Sequence, residues 1–457
     1  MDSDVAQLIK LIHDNPAQAV FYATGGGIQV AYQWIRWTFC EPTACLDHYN
    51  ASQALTWLLT VPGASRTVLE SRVPYAQSAL HNILGQSTAN YASVGTANSM
   101  AKAAYQQAAK LSPFGVSIVG VGCTCALMTD RIKKGDHKAS PDQQFLCKDT
   151  TPDYVNPEHF SDADKTESSP QARAFIATHT GSVSRSYSVQ LTKGKRDRLG
   201  EDAVAGKLLL NALATACKLP GDALIDNGLL AGSEHLQEET TEIADPIDAL
   251  LKGDVQTVEY SNGNVVVDAP RGGKVYMAGS FNPLHEGHRG MLAAALTAQQ
   301  DKQGQVEGCY EMSVGNADKG LMPAEEVKRR IQPFIDENLP LVLTQAPLYP
   351  DKAKIFHNST FVLGYDTAVR LVMPKYYGGH DGMLLQLAGM SHLGCHVVVA
   401  GRIATDDQGE SSFMTFEDVE VPEAITDLGL FSSIPESLFR SDISSTQLRK
   451  ELAEQQK

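Results

Sequence analysis

The residues best suited to chemistry lie in one stretch of the second half, Gly279-Ser280-Phe281-Asn282-Pro283-Leu284-His285-Glu286-Gly287-His288. An apolar run precedes it and a helical pattern follows, so the sequence predicts a strand, a glycine-rich turn and a helix. Such a turn directs backbone N–H groups and the positive end of the helix at one point, where a polyphosphate can bind. His285 and His288 lie on one side of the helix entrance and can donate hydrogen bonds to phosphate oxygens. Gly279 permits the tight turn, and Gly287 keeps side-chain bulk away. The four residues from His285 to His288, taken alone, leave a chance pair of surface histidines open as the alternative.

A second segment, near the C-terminal end, carries residues of a similar kind. Ser444, Ser445 and Thr446 precede a run of good helix formers, which is typical of a helix N-cap with exposed hydroxyl groups and free N–H groups. Arg449 follows one turn later and faces the same way. The segment therefore predicts a second phosphate clamp, and an ordinary capped helix is the alternative that it leaves open by itself.

Together, the patterns G-S-F-N-P-x-H-x-G-H and I-S-S-T-x-x-R resemble the nucleotidylyltransferase superfamily. The G-S-F-N-P form is most similar to nicotinamide or nicotinate mononucleotide adenylyltransferases. Across residues 273–450 the resemblance implies a Rossmann-like parallel sheet on which an acceptor attacks the α-phosphate of ATP, releasing pyrophosphate with Mg²⁺ present. It implies catalytic roles for His285, His288 and Arg449. It also implies ATP contacts for Gly279, Ser280, Phe281, Asn282, Gly287, Ser444, Ser445 and Thr446.

The acceptor-binding residues are predicted from loops that follow strands, where open α/β sheets bind ligands. Lys319 follows the second predicted strand and could meet the acceptor's phosphate; a solvated loop lysine is the alternative. Asp366 follows the fourth strand and could contact the nucleotide, or cap a helix, or both. Arg370 lies one turn later. Tyr376 and Tyr377 are expected in a loop near the acceptor.

Strand and helix patterns alternate through the second half, which predicts a parallel sheet with right-handed crossovers. Strands are expected at 305–314, 341–344, 360–363 and 396–400. The helix pattern from Ala324 to Glu337 carries Lys328, Arg329 and Arg330, which are interpreted as a solvated face.

The first half also has an α/β pattern and resembles the C-terminal domain of the CinA family, whose active members deamidate nicotinamide mononucleotide. The resemblance rests on Thr24-Gly25-Gly26 after a strand, on Tyr75 before a helical run, on the strand pattern Val116–Gly122, and on the closing helix. It implies that two copies pair through this domain.

The same comparison predicts that the first half has lost deamidase activity. Tyr22 and Ala23 stand where the family has its reactive serine and cysteine, and Leu80 stands where it has a lysine. A buried lysine is the group that would activate a hydroxyl in such chemistry. We therefore expect this domain to bind a nucleotide, to pair with a second copy, or to support the second half.

The expected organisation is an N-terminal CinA-like α/β/α domain over residues 1–235, with a polar insertion at about 138–171. An acidic linker with a hairpin around Asn262-Gly263 follows at 236–272, and the Rossmann-like nucleotidylyltransferase domain spans 273–457.

Composition limits the partners. The net charge of -15 argues against a nucleic-acid partner, because phosphate backbones require clustered Lys and Arg. The eight cysteines form no C-x-x-C pair, and no zinc spacing appears, so no protein-bound metal is predicted. No signal peptide and no membrane-spanning run is visible, which favours the cytoplasm and excludes a membrane partner.

The leading hypothesis is an adenylyltransferase that joins ATP to a small phosphorylated acceptor, a nicotinamide or nicotinate mononucleotide. Two alternatives remain open. One is a non-catalytic scaffold or nucleotide-binding module in a larger assembly. The other is a nucleotidylyltransferase with a different phosphorylated acceptor, such as a cytidylyltransferase or a pantetheine-phosphate adenylyltransferase, because loop shape decides acceptor choice.

Overall fold

The computed structural model describes residues 1–24, 53–88, 90–127, 172–225, 228–242, 245–303, 306–316, 320–405 and 411–440. These residues form two α/β units, one in each half of the chain, and each contains a mixed sheet with parallel and antiparallel strand pairs. The predicted α/β fold class is therefore confirmed. In this part of the chain, no helix combines the length and the apolar character needed to span a bilayer.

The first sheet has six strands in the order β2-β1-β3-β4-β5-β6. Their bounds are β1 (Gln18–Thr24), β2 (Val68–Arg72), β3 (Ile118–Ala126), β4 (Ala172–His179), β5 (Val183–Leu191) and β6 (Leu236–Glu242). The pairs β2-β1 and β1-β3 are parallel, and the remaining pairs are antiparallel. The helices of this half span Ser3–Asp14, Gln53–Thr60, Ala64–Thr67, Gln77–Leu84, Val94–Leu111 and Arg198–Ala216, with a 3-10 turn at Gly221–Ala223.

The glycines of β3 explain how the helix Val94–Leu111 packs on this sheet. A Cβ atom at Gly120 would lie 2.1 Å from the carbonyl oxygen of Ala101, and one at Gly122 would lie 2.2 Å from that of Ala97. The helix backbone thus rests directly on the strand. Because only glycine permits this approach, these residues serve packing.

The second sheet has eight strands in the order β18-β15-β14-β9-β10-β13-β7-β8. The strands of this half are β7 (Thr257–Ser261), β8 (Asn264–Val267), β9 (Val275–Ala278), β10 (Gly308–Ser313), β11 (Gly315–Asn316), β12 (Gly320–Leu321), β13 (Leu341–Thr344), β14 (Thr360–Gly364), β15 (His396–Ala400), β16 (Arg402–Thr405), β17 (Ser411–Met414) and β18 (Phe431–Ile434). The helices are Pro246–Lys252, Glu286–Gln303, Ala324–Asp336, Tyr349–Ile355, Tyr365–Leu371, His380–His392 and Glu423–Thr426, with 3-10 turns at Pro374–Tyr376 and Phe416–Asp418.

The strands from β18 to β13 run parallel, as the alternation of strands and helices predicts. In chain order, β9, β10 and β13 extend the sheet in one direction, and β14, β15 and β18 extend it in the other. The order therefore reverses at β9. Ligands of open α/β sheets bind at the carboxyl end of such a switch point.

Segment 236–272 supplies strands to both sheets. Strand β6 pairs with β5 of the first sheet, and β7 pairs antiparallel with β13 of the second. The hairpin predicted around Asn262-Gly263 is confirmed, with φ of 49° and 73° at its two turn residues, as a type I′ turn requires.

Arg271 ties the two halves together and is almost fully buried. Its guanidinium forms two hydrogen bonds to Glu259, of 2.8 and 3.1 Å. It also donates to the carbonyl oxygens of Ala109 and Ser112 in the first half. The hydroxyl of Tyr276, on β9, donates to the carbonyl oxygen of Arg271 at 2.7 Å. The buried cation thus connects the first half to the strand that leads into the glycine-rich turn.

Candidate active site

The glycine-rich turn begins at the carboxyl end of β9, where the strand order reverses. The N–H group of Gly279 donates to the carbonyl oxygen of Glu311 on β10 at 3.0 Å, so the turn leaves the sheet in register with its neighbour. A Cβ atom at Gly279 would lie 2.8 Å from the ring of Phe281. Glycine is therefore required here because the turn folds Phe281 back over it.

Phe281 anchors the turn to the core. Its backbone has φ of 43°, an unusual conformation for a non-glycine residue, and its side chain is buried. The ring packs edge-to-face against His288, Phe334 and Tyr310, with centroid distances of 5.1, 5.2 and 5.5 Å. The ring therefore supports the turn and one histidine from below.

The structure brings His285 and His288 together. Their rings are stacked with centroids 3.7 Å apart and an interplanar angle of 28°. The backbone N–H of His285 donates to Nδ1 of His288 at 3.2 Å. Because Nδ1 accepts a hydrogen bond, the proton of the neutral His288 ring resides on Nε2, which is a donor. His285 immediately precedes the helix Glu286–Gln303 and Gly287 is buried in its first turn.

Both imidazoles are held in the neutral form. Burial, the neighbouring His285 and the Arg289 cation lower the pKa of His288 to about 3. Burial and Arg289 also lower the pKa of His285, against the opposing effect of Glu286. At neutral pH the pair can therefore act through N–H donors without carrying its own charge.

Arg329 and Arg330 both contact the turn. The predicted solvated face is confirmed for Lys328 and Arg329, whose side chains are 44% and 57% exposed, whereas the Arg330 side chain is only 15% exposed. Arg330 donates to the carbonyl oxygen of Ser280 at 3.1 Å, and Arg329 donates to Oδ1 of Asn282 at 2.8 Å. Glu326 pairs with both guanidinium groups. Helical periodicity correctly placed these arginines on the outer side of the helix, but it could not show that the turn contacts them there.

An open cavity of about 300 Å³ borders the same turn. Its lining comes from the carboxyl ends of β9, β10 and β13 and from the segments after β14: Ala278, Gly279, Ser280, Glu311, Ser313, Gly315, Pro347, Leu348, Tyr349, Lys352, Thr367, Arg370, Leu371, Tyr376 and Tyr377. His285 and His288 are absent from this lining. The turn therefore borders the cavity with Gly279 and Ser280 and leads to the histidines at its other end.

Arg370 is the predicted acceptor residue that lines the cavity. Its side chain is exposed and forms no ion pair or side-chain hydrogen bond with any described residue. Tyr376 and Tyr377, which were expected in a loop near the acceptor, also line the cavity. Asp366, in contrast, is exposed, forms an ion pair with Arg402 and lies outside the lining.

Several predicted residues lie outside the described part of the chain: Lys319, Ser444, Ser445, Thr446 and Arg449. Among the described residues, no group of three or more His, Cys, Asp or Glu side chains could hold a metal ion.

Sequence reasoning missed a buried ion pair in the cavity wall, formed by Glu311 of β10 and Lys352 of the helix Tyr349–Ile355. The signal that could have revealed it is Glu311 itself, because a charged residue inside an apolar strand requires a buried partner.

Comparison with known proteins identifies one family that matches the second half. Residues 276–451 match a protein family described as cytidylyltransferase-like. This match indicates nucleotidyltransferase activity. The matched region begins on β9 and includes the turn, the histidine pair and the residues that line the cavity. No curated protein matches the chain.

One solved structure similar to the chain is the competence/damage inducible protein CihA from Agrobacterium tumefaciens. The identity is 16%, and the alignment covers 47% of this chain and 97% of that chain. The TM-score is 0.27, which does not establish a shared fold.

Proposed function

We propose that the second half joins ATP to a pyridine mononucleotide, nicotinamide or nicotinate mononucleotide, and releases pyrophosphate. The observation that carries this proposal is the position of the turn, which links a stacked pair of neutral histidines at a helix start to a cavity. That cavity is lined by Arg370, which has no ion-pair partner among the described residues. The motif forms of Gly279–His288 and of residues 443–449 support the adenylyl donor and the pyridine acceptor.

In this reaction an oxygen of the acceptor's 5′-phosphate attacks the α-phosphorus of ATP. The new P–O bond forms as the bond to the β-phosphate oxygen breaks, and pyrophosphate leaves with the bonding electron pair. His285 and His288 would donate hydrogen bonds to phosphate oxygens as their negative charge grows. Arg370 would bind the acceptor's phosphate from the cavity side, and Ser444, Ser445, Thr446 and Arg449 would hold the triphosphate.

Positioning is the main contribution of the protein, since no group on the enzyme needs to form a covalent bond. Mg²⁺ would enter with ATP, bound to its phosphate oxygens and offsetting their charge. The described residues offer no cluster that could hold it independently, so no residue is assigned to it.

We propose further that the first half is a CinA-like domain without deamidase activity. Tyr22 and Leu80, which stand at the positions of the family's reactive serine and lysine, are both buried in one apolar cluster. An apolar core cannot activate a hydroxyl nucleophile. Release of ammonia from nicotinamide mononucleotide by the purified protein would contradict this reading.

The test is pyrophosphate release by the full chain with ATP or CTP and Mg²⁺. The acceptors are nicotinamide mononucleotide, nicotinate mononucleotide, phosphopantetheine and choline phosphate. We expect release with ATP and a pyridine mononucleotide, together with formation of the dinucleotide. Release with another pair would identify a different nucleotidylyltransferase, and silence from a folded protein would favour the scaffold.

The variant His288→Ala should remain folded and lose turnover by about two to four orders of magnitude, because it lacks a donor to the phosphates. His396→Ala is the matched control. His396 is exposed at the start of β15, so it lies at the amino end of the parallel strands, whereas the turn lies at their carboxyl end. Near-normal turnover in folded His288→Ala would refute the assigned role.

A further inference from the structure

The floor of the cavity contains a charged pair that the proposed chemistry leaves unexplained. Glu311 and Lys352 both belong to the cavity lining, although only 0% and 4% of their surfaces are exposed. Burying two charges is costly unless their hydrogen bonds are complete. The hydrogen-bonding positions that Glu311 and Lys352 leave unfilled therefore determine which ligand groups the pair can bind.

Lys352 has no donor left for a ligand. Its ammonium group donates to Oε1 and Oε2 of Glu311 at 2.8 and 2.7 Å, and to the carbonyl oxygen of Ala346 at 2.9 Å. A lysine ammonium has three N–H donors, and these three partners use them all.

Glu311 has one acceptor position left. Oε1 accepts from Lys352 and from the hydroxyl of Thr344 at 2.7 Å, while Oε2 accepts only from Lys352 among the described residues. Each carboxylate oxygen can accept two hydrogen bonds. One acceptor position on the buried Glu311 carboxylate therefore remains unfilled among the described residues, whereas Lys352 offers no free donor.

The remaining walls suit a flat ring and a phosphate. Tyr349 and Tyr377 line the cavity, and the Tyr377 hydroxyl is fixed by donating to the carbonyl oxygen of Leu371 at 2.7 Å. Aromatic side chains of this kind pack against planar bases. Arg370, in the same lining, offers a phosphate a cation that pairs with no acidic side chain in the described part of the chain.

We propose that the Glu311–Lys352 pair selects the acceptor by the group on its base, favouring a carboxamide over a carboxylate. A carboxamide N–H₂ group can donate to Glu311, whereas a carboxylate at that place would face a second carboxylate with no donor to offset it. The inference rests on the proposed function and specifies its substrate as the amide form, nicotinamide mononucleotide.

The test compares kcat/KM for nicotinamide and nicotinate mononucleotide, measured by pyrophosphate release at saturating ATP. The ratio of the two values is unaffected by the fraction of folded enzyme. The wild type should favour the amide by about tenfold or more, the effect of one hydrogen bond to a charged group. Glu311→Gln leaves the Lys352 cation unpaired and should shift the preference towards the carboxylate. The double variant Glu311→Gln/Lys352→Met removes both charges and should nearly abolish the preference.

The matched control is a second buried pair, Glu259 and Arg271, of which neither member lines the cavity. The double variant Glu259→Gln/Arg271→Met should lower stability and leave the acceptor ratio unchanged. An active wild type that favours nicotinate, or an acceptor ratio that Glu311→Gln leaves unmoved, would overturn this inference alone. No pyrophosphate with either mononucleotide from the folded wild type would overturn it together with the proposed function.

Discussion

The low pKa of His288 predicts that acid weakens the second half of the protein through this one ring. Burial, His285 and Arg289 lower its pKa from 6.5 to about 3 in the folded state. Between these two pH values the His288 imidazole is protonated in the unfolded chain and neutral in the folded chain. Stability contributed by the neutral ring is therefore complete above pH 6.5 and is lost as the pH falls towards 3.

The size of the effect follows from the two pKa values. Lowering the pH from 7 to 5 should remove about 2 kcal/mol of unfolding free energy through His288, since each pKa unit corresponds to about 1.4 kcal/mol. His288→Gln should lose about 2 kcal/mol less over the same interval, because an amide does not titrate. Glutamine can still accept the hydrogen bond from the N–H of His285.

The assay is a urea titration at pH 7 and at pH 5, read by hydrogen–deuterium exchange of peptides from β9 and β10. These strands are neighbours at the switch point, and Cys309 and Met312 on β10 are fully buried, so their exchange reports opening of the second sheet. His396→Gln, at an exposed position, controls for loss of an imidazole.

The deciding quantity is the difference between wild type and His288→Gln in the stability lost from pH 7 to pH 5. Equal losses in the two proteins would refute the claim that His288 is held neutral by its surroundings. A larger loss in the variant would refute the sign of the argument.

Two further predictions concern other parts of the chain. Burial raises the pKa of Asp202 to about 7, and its oxygens have no hydrogen-bond partner among the described residues. The folded state therefore keeps a proton that the unfolded state loses, and raising the pH from 5 to 8 should cost about 2.5 kcal/mol. Asp202→Asn should lack this loss, measured by urea unfolding with tryptophan fluorescence; equal losses would contradict it. Arg330→Met, which removes the donor to the carbonyl oxygen of Ser280, should lower kcat/KM for ATP about tenfold, whereas Lys328→Met on the same helix should change it little. Equal effects of the two substitutions in steady-state kinetics would refute the tether.

Much of the fold could be predicted because it is encoded locally. The alternation of strand and helix patterns predicted the parallel sheet of the second half, and β13, β14 and β15 form at the expected places. Asn262-Gly263 predicted its hairpin because few other dipeptides adopt two consecutive positive φ values. The turn after β9 was predicted from the types and spacing of its glycines and histidines, which lie within ten consecutive residues.

Contacts between segments distant in the chain were not predictable in this way. The outer position of Arg329 and Arg330 was a correct reading of helical periodicity, yet their partners come from the turn, 47 and 50 residues earlier in the chain. Lys352, in the helix Tyr349–Ile355, meets Glu311 of β10 across 41 residues, and local sequence patterns do not record that contact.

The sequence by itself determined the class of chemistry, because the glycine-rich turn and the two histidines lie within one local segment whose geometry follows from a strand leading into a helix. The tertiary structure decided how that segment is used. It stacked the two imidazoles and buried them enough to keep them neutral, and it set Gly279 and Ser280 beside Arg370 and the Glu311–Lys352 pair. Periodicity records which face of an element a residue occupies, whereas charge and hydrogen bonding in a site depend on which faces meet.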